Sequence, residues 1–432
     1  MDNNKILIIT YYWPPAGGPG VQRWLKFVKY LPDFGFEPIV YLPENPSYPI
    51  IDENLLSEVS NQLVILRNKI VEPYQWASYL SKNKTTKISS GIIPNVKKQT
   101  ILDQLLLWIR GNIFIPDARV MWVKPSVKYL EKYISENGIT TIITSGPPHS
   151  LHLIGLELKQ KLNVRWVADF RDPWTTIGYH KALKLSEFAS NKHKKLEFKV
   201  LNTADLILVT SPSTRAEFKM LTSKPIEVIT NGYDEEKIGN QLLDKKFTLA
   251  HIGSFLSERN PRILWESISE LIRENPLFAS HFQLKLIGAV SQEVLDSIAL
   301  FQLQNYVLNL GYVSHDEAII HQKKSQVLLL IEINSEDTKS IIPGKLFEYM
   351  VSERPIIGVG PKGCDFAEII IDTNTGVFTD YSEKEKLKNY IANYFSLFLE
   401  VNLKSSAVGL QKYSRRNLTE KLASLLNRKM DN

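Results

Sequence analysis

The 432-residue chain contains little cysteine and no long apolar run. Its one cysteine, Cys364, has no partner for an internal disulfide, which is typical of a reducing compartment. The apolar run at residues 6–9 is too short for the core of a secretory signal. No stretch reaches the roughly 18 apolar residues that a membrane-spanning helix needs. We therefore expect a cytoplasmic protein.

Several common catalytic and metal-binding motifs are also missing. The sequence has no C-x-x-C pair, His-rich cluster, Asp-x-Asp triplet or H-E-x-x-H, so we expect no metal and no other cofactor. It has neither the phosphate-binding G-x-x-x-x-G-K-[ST] nor the nucleophile motif G-x-S-x-G. The net charge of +6 is modest and no recognition motif accompanies it, which argues against a nucleic-acid partner.

The positive charge that is present is unevenly distributed. Residues 1–235 hold 29 Lys and Arg against 22 Asp and Glu (29 − 22 = +7), and residues 236–432 hold 23 against 24 (23 − 24 = −1). The segment from Lys82 to Lys132 alone holds 10 basic and 3 acidic residues, with apolar and aromatic residues between them. This pattern suits attachment to an anionic membrane surface, although most amphipathic stretches pack on a core. We expect a peripheral membrane contact here.

Short apolar strands alternate with helices along the whole chain, which predicts an α/β protein with parallel sheets. The length favours two domains. Asn231 and Gly232 give a turn signal, and a polar stretch follows. The predicted domains are residues 1–235, residues 236–410 and a C-terminal helix at 411–432 that packs back on the first domain. The predicted strands are residues 5–10, 38–42, 139–145, 164–169, 206–210, 226–230, 247–252, 283–287, 307–310, 326–333, 355–359 and 376–379.

An anion-binding pattern follows the strand at 326–333. A polar loop leads to Pro343, Gly344 and Lys345, which open a predicted helix. Free N–H groups at a helix start and a lysine both favour phosphate. Glu348 lies one turn further on, within reach of a sugar hydroxyl. The segment suits a nucleoside diphosphate.

A second candidate lies after the strand at 247–252. Gly253 and Ser254 end this strand, and Arg259 precedes the next helix. A guanidinium at this place can neutralise a pyrophosphate through two hydrogen bonds. The alternative is an ordinary surface arginine.

A glycine-rich loop follows the first strand. Gly17, Gly18 and Gly20 lie between that strand and a helix, where glycine lets a ligand approach the backbone. The spacing differs from G-x-G-x-x-G, so it is not the dinucleotide-binding fingerprint. A flexible glycine-rich cap is the alternative.

Two prolines and two histidines follow the strand at 139–145. The prolines suit a first helical turn, which places His149 near a ligand and His152 one turn further on. His149 can orient an acceptor hydroxyl or act as a base. Histidines within helices are usually structural, and for His152 we favour that role.

Two carboxylates flank an arginine after the strand at 164–169. Asp169 and Arg171 are candidates for binding the hydroxyl or anionic groups of an acceptor. Asp172 precedes Pro173, a pair that is typical of a helix N-cap followed by proline at the first helical position.

In this order and spacing, the motifs resemble those of bacterial glycosyltransferases of family 4. The resemblance rests on residues 17–20, 169–174, 228–234, 253–259 and 343–349, and it covers nearly the whole chain. It implies the GT-B fold, in which two Rossmann-like doubly wound parallel-sheet domains face a central cleft. It also implies retaining, metal-independent transfer from a nucleotide sugar, with UDP or GDP the favoured nucleotide. Similar enzymes build lipopolysaccharide, capsule or exopolysaccharide on a lipid-linked glycan acceptor at the inner membrane face.

The resemblance assigns Arg259 and Lys345 to the donor diphosphate and Glu348 to the ribose. Gly253, Ser254, Gly344, Gly17 and Gly18 complete the predicted donor site, and His149 joins Arg259 and Lys345 as a candidate catalytic residue. Two positions depart from the family pattern: Ser340 stands where a second glutamate is common, and Ser254 where an arginine is common. Two alternatives stay open. One is a UDP-sugar 2-epimerase, and the other, which the two serines leave open, is a catalytically inactive membrane-associated partner of a polysaccharide assembly.

Overall fold

A computed structural model describes residues 4–72, 101–181, 183–234, 239 and 241–428. The chain forms two compact units, one of residues Met1–Thr230 and Arg415–Asn432, the other of Asn231–Ser414. The boundary predicted at residues 235–236 lies outside the described residues.

The first unit is built on a parallel sheet of seven strands. Their order is β3-β2-β1-β4-β5-β6-β7, so the direction of winding reverses between β1 and β4. Apolar strands with buried residues on both faces are typical of a sheet covered on both sides. The strands are β1 (Lys5–Ile9), β2 (Glu37–Pro43), β3 (Val64–Asn68), β4 (Thr141–Gly146), β5 (Arg165–Phe170), β6 (Leu206–Val209) and β7 (Ile226–Val228).

Helices cover both faces of this sheet. The last helix of the chain, at Arg415–Asn427, buries a leucine face against the helix at Pro19–Tyr30 in the same core as Trp24. The helices of the first unit are α1 (Pro19–Tyr30), α2 (Ile101–Asn112), α3 (Val123–Asn137), α4 (Ser150–Lys161), α5 (Gly178–Lys181), α6 (Glu187–Thr203), α7 (Pro212–Lys219) and, from the end of the chain, α15 (Arg415–Asn427).

The second unit has a parallel sheet of six strands in the order β10-β9-β8-β11-β12-β13, and the winding reverses between β8 and β11. Its strands are β8 (Phe247–Ile252), β9 (Phe282–Ile287), β10 (Val307–Gly311), β11 (Val327–Ile331), β12 (Ile356–Gly360) and β13 (Gly376–Asp380). Its helices are α8 (Arg262–Glu274), α9 (Pro276–His281), α10 (Gln292–Leu300), α11 (His315–Lys324), α12 (Lys345–Met350), α13 (Asp365–Asp372) and α14 (Lys384–Leu399).

The prediction of two doubly wound parallel-sheet domains is confirmed, and each predicted strand overlaps an observed one. Strand β3 was not predicted; it is an edge strand whose side chains are exposed or half-buried. Ligands of doubly wound sheets bind at the carboxyl ends of the strands, where the winding reverses. In this chain those positions follow β1 and β4 in the first unit and β8 and β11 in the second.

Candidate functional site

Two glycines shape the backbone at the carboxyl ends of the neighbouring strands β8 and β9. Gly253 has a φ of 116° and Gly288 a φ of 114°, a region that favours glycine. A Cβ on Gly288 would lie 2.6 Å from the carbonyl oxygen of Gly253. A Cβ on Gly253 would lie 3.6 Å from Nζ of Lys345. The chain therefore turns tightly where the lysine approaches it.

Lys345 lies half-buried at the start of α12, beside the end of β8. Its Nζ is 3.3 Å from Nε2 of His251 and 3.4 Å from the carbonyl oxygen of Ile252. Burial and the positive charge of Arg259 lower the pKa of Lys345 to about 7, although Glu332 and Glu348 favour its charged form. Lys345 therefore titrates near neutral pH in the free protein.

The helix that carries Lys345 is short. It spans Lys345–Met350, six residues, with Gly344 at its N-cap. Tyr349 fixes this helix to β8, because its hydroxyl accepts a hydrogen bond from the Ile252 amide at 3.0 Å and donates one to the carbonyl oxygen of the same residue at 3.2 Å. The Lys345 ammonium, not a long helix dipole, is therefore the main positive group at this turn.

Arg259 is held by Glu332, which follows β11. Nε and Nη2 of Arg259 lie 3.2 and 3.3 Å from the two carboxylate oxygens of Glu332, a paired contact that fixes the guanidinium plane. Glu332 is buried, and its own backbone carbonyl accepts a hydrogen bond from the Tyr381 hydroxyl at 2.8 Å. Arg259 is thus positioned at the carboxyl end of the sheet and is not a free surface arginine.

Glu348 faces α11 from the middle of α12. Its Oε2 accepts a hydrogen bond from Nε2 of Gln322 at 3.1 Å. Together with Tyr233 and Lys323 it lines a cavity of about 260 Å³ within the second unit. Ser254 is exposed beside Gly253. In the second unit the structure therefore brings together Gly253, Ser254, Arg259, Gly344 and Lys345, with Glu348 one helical turn away.

The glycine-rich loop of the first unit is tied to a neighbouring segment. The Gly17 amide donates a hydrogen bond to the carbonyl oxygen of Ile50 at 3.0 Å, and a Cβ on Gly17 would lie 2.9 Å from Cγ2 of Ile50. Gly18 has a φ of 96°, which favours glycine. Of these two predicted donor-site residues, Gly17 is packed against Ile50, whereas Gly18 sits at the N-cap of α1.

Gly20 and Arg171 lie against each other at the carboxyl edge of the first sheet. A Cβ on Gly20 would lie 1.9 Å from Nη1 of Arg171, so any larger residue here must displace the guanidinium. Arg171 also donates to the carbonyl oxygens of Gly146, at 3.3 Å, and Pro147. The guanidinium is therefore confined between the glycine-rich loop and the turn after β4.

His149 is buried near the end of β4. Its ring stacks on Trp174, with centroids 4.9 Å apart and planes within 2°. Neither ring nitrogen has a hydrogen-bond partner among the described residues. Burial, and then the neighbouring His152, lower the pKa of His149 well below its usual value, so the imidazole is neutral at pH 7.

The turn before His149 differs from the prediction. Helix α4 begins at Ser150, so the two prolines precede the helix and do not form its first turn. Asp117 satisfies this helix start, since its carboxylate accepts hydrogen bonds from the amide and the hydroxyl of Ser150, both at 2.8 Å. His152 bonds to Oγ1 of Thr144 at 2.9 Å, in keeping with the structural role favoured for it.

Asp169 is fully buried. Its carboxylate accepts hydrogen bonds from Arg23 (2.7 Å for the shortest), Nε1 of Trp24 (2.8 Å) and the Ser145 hydroxyl (2.8 Å). Burial alone would raise the pKa of Asp169, but the charge of Arg23 and these hydrogen bonds lower it below its usual value. This environment favours a role in holding the strand ends together over direct contact with an acceptor.

Asp172 was predicted to cap a helix, and that prediction is wrong. The following helix, α5, begins only at Gly178, and bends separate it from Pro173. Burial raises the pKa of Asp172. The Asp-Pro pair therefore shapes a turn after β5 and starts no helix.

Three residues of these clusters were not predicted from the sequence. Arg23, His251 and Glu332 are buried polar residues that pair with predicted ones. For His251 and Glu332 a signal was available, because each is a polar residue at or just past the carboxyl end of an apolar strand. Arg23 lies within the amphipathic pattern of α1 and gives no such signal.

The basic segment is partly described. Its residues 82–100 lie outside the described residues, whereas α2 follows at Ile101–Asn112. On α2, Leu107 and Gly111 pack inward, and Leu105 and Trp108 are 52% and 44% exposed.

In the described part of the chain, none of the helices is both long and apolar enough to cross a membrane. No three His, Cys, Asp or Glu side chains of that part are grouped to hold a metal ion.

Comparison with known proteins matches both halves of the chain. Residues 97–237 match the model of Glycosyltransferase Family 4, and residues 246–396 match that of Glycosyl transferases group 1. No curated protein sequence matches the chain significantly.

Solved structures share the fold. Sucrose-phosphate synthase from Thermosynechococcus elongatus has a TM-score of 0.60 and 14% identity, covering 98% of each chain. The lipopolysaccharide outer core galactosyltransferase WaaB has a TM-score of 0.57 and 13% identity over 98% of this chain and 100% of its own. An E. coli trehalose-6-phosphate structure bound with UDP-2-fluoro glucose has a TM-score of 0.60 and 10% identity over 99% and 100%. The chain therefore belongs to the glycosyltransferases of the GT-B fold, with a Family 4 region followed by a group 1 region.

Proposed function

We propose that this glycosyltransferase moves a sugar from a UDP- or GDP-linked donor to a lipid-linked glycan acceptor in the synthesis of a cell-surface polysaccharide. The observation that carries the donor assignment is that two basic residues, Lys345 and Arg259, lie near each other where β8 and β11 end. Two cations beside a glycine turn suit the diphosphate of a nucleotide sugar.

Lys345 binds the diphosphate and responds to it electrostatically. Its pKa of about 7 in the free protein reflects burial and the neighbouring Arg259. Two phosphate charges beside the ammonium favour its protonated form. Binding of the donor therefore charges Lys345 at the moment when that charge is needed.

Arg259 contributes the second cation. Because Glu332 already occupies Nε and Nη2, the Nη1 edge is the part of the guanidinium that meets a phosphate oxygen. Glu332 also keeps the guanidinium plane fixed, which limits the entropy lost on binding. Glu348 and its cavity receive the ribose hydroxyls, with Gln322 orienting the carboxylate.

The chemical step is a front-face displacement that retains the anomeric configuration and uses no metal. The bond from the anomeric carbon to the diphosphate oxygen breaks while the acceptor oxygen attacks the same face, through an oxocarbenium-like state. The leaving diphosphate keeps the electron pair, and Lys345 and Arg259 stabilise its charge. As the new bond forms, the acceptor hydroxyl gives its proton to an oxygen of the leaving diphosphate, which lies on the same face.

The first unit supplies the acceptor groups. His149 is neutral at pH 7 with both ring nitrogens unpaired among the described residues, so it can accept a hydrogen bond from an acceptor hydroxyl. Arg171, confined beside Gly20, binds an anionic or hydroxyl group of the same acceptor. Asp169 acts indirectly, by fixing the strand end that carries Arg171.

The lipid-linked acceptor implies work at the cytoplasmic membrane face. Support comes from the basic segment from Lys82 to Lys132 and from the exposed Leu105 and Trp108 on α2. It comes also from the likeness to WaaB, which is described as a lipopolysaccharide outer core galactosyltransferase.

A donor screen tests the proposal. The purified protein is incubated with UDP-, GDP-, ADP- and dTDP-sugars, with and without membrane lipid extract, and the release of nucleoside diphosphate is followed. We expect release from one donor class that rises with the extract and is lost in Lys345→Ala. The exposed Lys404 gives the matched control, because Lys404→Ala removes a lysine far along the chain from the strand ends.

Three results would contradict the proposal. Conversion of a sugar nucleotide without an acceptor would indicate the epimerase. Tight nucleotide binding with no turnover would indicate an inactive partner, for which Ser254 and Ser340 are the candidate causes. Release that the lipid extract leaves unchanged would overturn the lipid-linked acceptor.

A further inference from the structure

The first unit contains a groove whose lining includes none of the residues proposed above to bind the donor or the acceptor. It lies between α3 and the edge strand β3, with a volume of about 550 Å³. We name it the tyrosine groove; its lining includes Asn68, Pro125, Lys128, Tyr129, Lys132 and Tyr133. Small-ligand sites measure roughly 300–1,000 Å³, so the space suffices for several linked rings.

Aromatic rings form one wall of the tyrosine groove. Tyr129 and Tyr133 are four residues apart on α3 and therefore share a face, with ring centroids 6.5 Å apart and planes within 9°. Tyr129 also stacks on Tyr41 at 5.9 Å, and Tyr41 stacks on the buried Trp122 at 5.1 Å. The buried rings hold the outer ones in place, so Tyr129 and Tyr133 form a preorganised aromatic wall.

This wall is partly open to water. Tyr129 is 38% exposed, and Tyr133 is half-buried. Flat aromatic faces in water gain free energy when an apolar surface covers them. The C–H face of a sugar ring is such a surface, and its hydroxyls stay at the rim, where the Asn68 amide and the tyrosine hydroxyls can bond to them.

Lysine side chains line the groove beside the aromatic wall. Lys128 and Lys132, also four residues apart, are exposed beside the tyrosines. Oε1 of Glu136 lies 3.7 Å from Nζ of Lys132, in an exposed ion pair that contributes little to stability. The charged lining is two lysines and one glutamate (2 − 1 = +1), which favours a ligand of negative charge.

From this lining we propose that the tyrosine groove binds an acidic glycan, an oligosaccharide that carries carboxylate or phosphate groups, as the part of the acceptor that does not react. The inference rests on the proposed transfer to a glycan and adds its chemical class. Asn68 ends β3, and its amide donates to the carbonyl oxygen of Pro125, at the start of α3, at 3.4 Å. One end of the groove therefore lies at the carboxyl edge of the sheet, the edge that carries Arg171, and its lining continues along α3.

Calorimetric titration of the full chain tests the proposal without any donor. The probes are oligogalacturonate as the acidic glycan and a maltooligosaccharide as the neutral one. We expect oligogalacturonate to bind more tightly, and Tyr129→Ala with Tyr133→Ala to weaken that binding about tenfold or more, the usual cost of losing aromatic anchors. The matched Tyr→Phe pair keeps the rings and should keep most of the affinity, which separates lost stacking from misfolding.

Further controls separate charge from stacking. Lys128→Ala with Lys132→Ala should remove the preference for the acidic glycan, whereas Lys194→Ala with Lys195→Ala, on the exposed face of α6, should not. Tyr312→Ala, which removes a tyrosine that is 91% exposed in the second unit, should leave binding unchanged.

Four results would overturn the proposal: no binding of oligogalacturonate, equal binding of the neutral glycan, equal affinity in the Tyr→Ala pair, and displacement of oligogalacturonate by phosphatidylglycerol vesicles. The last would assign the groove to a membrane surface. Nucleoside diphosphate release, measured separately, tests the proposed function. An enzyme that turns over donor without binding oligogalacturonate disproves only the groove, and the reverse result disproves only the transfer reaction.

Discussion

Nζ of Lys345 lies 3.3 Å from Nε2 of His251, and burial lowers the pKa of both side chains. His251 is neutral at pH 7, so it adds no positive charge beside the lysine and can accept a hydrogen bond from the ammonium. The contact therefore lets Lys345 become charged when an anion arrives.

This relationship predicts proton uptake on nucleotide binding. Lys345 has a pKa of about 7 in the free protein, and a bound diphosphate raises it. At a pH between the pKa of free and of nucleotide-bound Lys345, binding should be accompanied by proton uptake. The affinity for the nucleotide should fall as the pH rises above about 7. Calorimetry at pH 8 in buffers of different ionisation enthalpy measures the uptake. It should vanish in Lys345→Met; uptake that persists there would contradict the assignment.

Removal of either cation should slow transfer. We expect Lys345→Ala and Arg259→Ala each to lower turnover at least ~10²-fold, because each stabilises charge that develops on the leaving group. Arg273→Ala, an exposed arginine on α8, is the matched control. Initial rates with saturating donor decide the question, and a near-normal rate in either variant would remove that residue from the mechanism.

Gly20 should act through Arg171. A Cβ at position 20 would meet Nη1 of Arg171 at 1.9 Å, so Gly20→Ala must displace the guanidinium. We expect Gly20→Ala and Arg171→Ala to raise the KM for acceptor to a similar extent, with donor hydrolysis little changed. The double variant should be no worse than Arg171→Ala, as expected for two changes that remove one interaction. Additive losses would show that Gly20 has a separate role.

His149 should affect the acceptor step alone. His149→Phe keeps a ring against Trp174 but removes the nitrogen acceptor, and transfer should fall by about tenfold, the cost of one lost hydrogen bond, with donor hydrolysis unchanged. The exposed His315 provides the control variant His315→Phe. Because the pKa of His149 is far below its usual value, the rate profile should show no inflection from this residue near pH 6.5. Equal rates in the two variants would argue for a packing role.

The ion pair of Asp169 and Arg23 should stabilise the first unit. Asp169→Asn leaves a buried arginine unpaired, which costs about 3–5 kcal/mol of unfolding free energy. Glu131→Gln, in an exposed pair with Lys161, should cost less than about 1 kcal/mol. Denaturant unfolding measures both.

The pH dependence of that loss follows from the lowered pKa of Asp169. The stabilisation is present above the unfolded pKa of about 3.9 and disappears as the pH falls through the folded value. The difference between wild type and Asp169→Asn should therefore shrink only in acid. A difference that is constant down to the lowest pH would show that the charge is not responsible.

Local sequence patterns suffice for the fold class and for the positions of all strands except β3. Alternating apolar strands and helices are local patterns, and each strand predicted from them overlaps an observed one. The glycines, Lys345, Arg259 and His149 could be predicted to lie at strand ends because parallel strands place their following residues at one edge, whichever order the strands take. The exposed edge strand β3 was not predicted, since none of its side chains is fully buried and they form no regular apolar pattern.

Which residues meet depends on how distant segments of the chain pack together. Arg23 and Asp169 are 146 residues apart, and Arg259 and Glu332 are 73 apart, so nothing local indicates either pair. Asp172 shows the converse, because its local sequence favours a helix cap whereas the chain forms bends that delay the helix to Gly178. Burial, and with it the pKa of Lys345 and His149, depends on how the surrounding elements pack, and a linear sequence does not contain that packing in readable form.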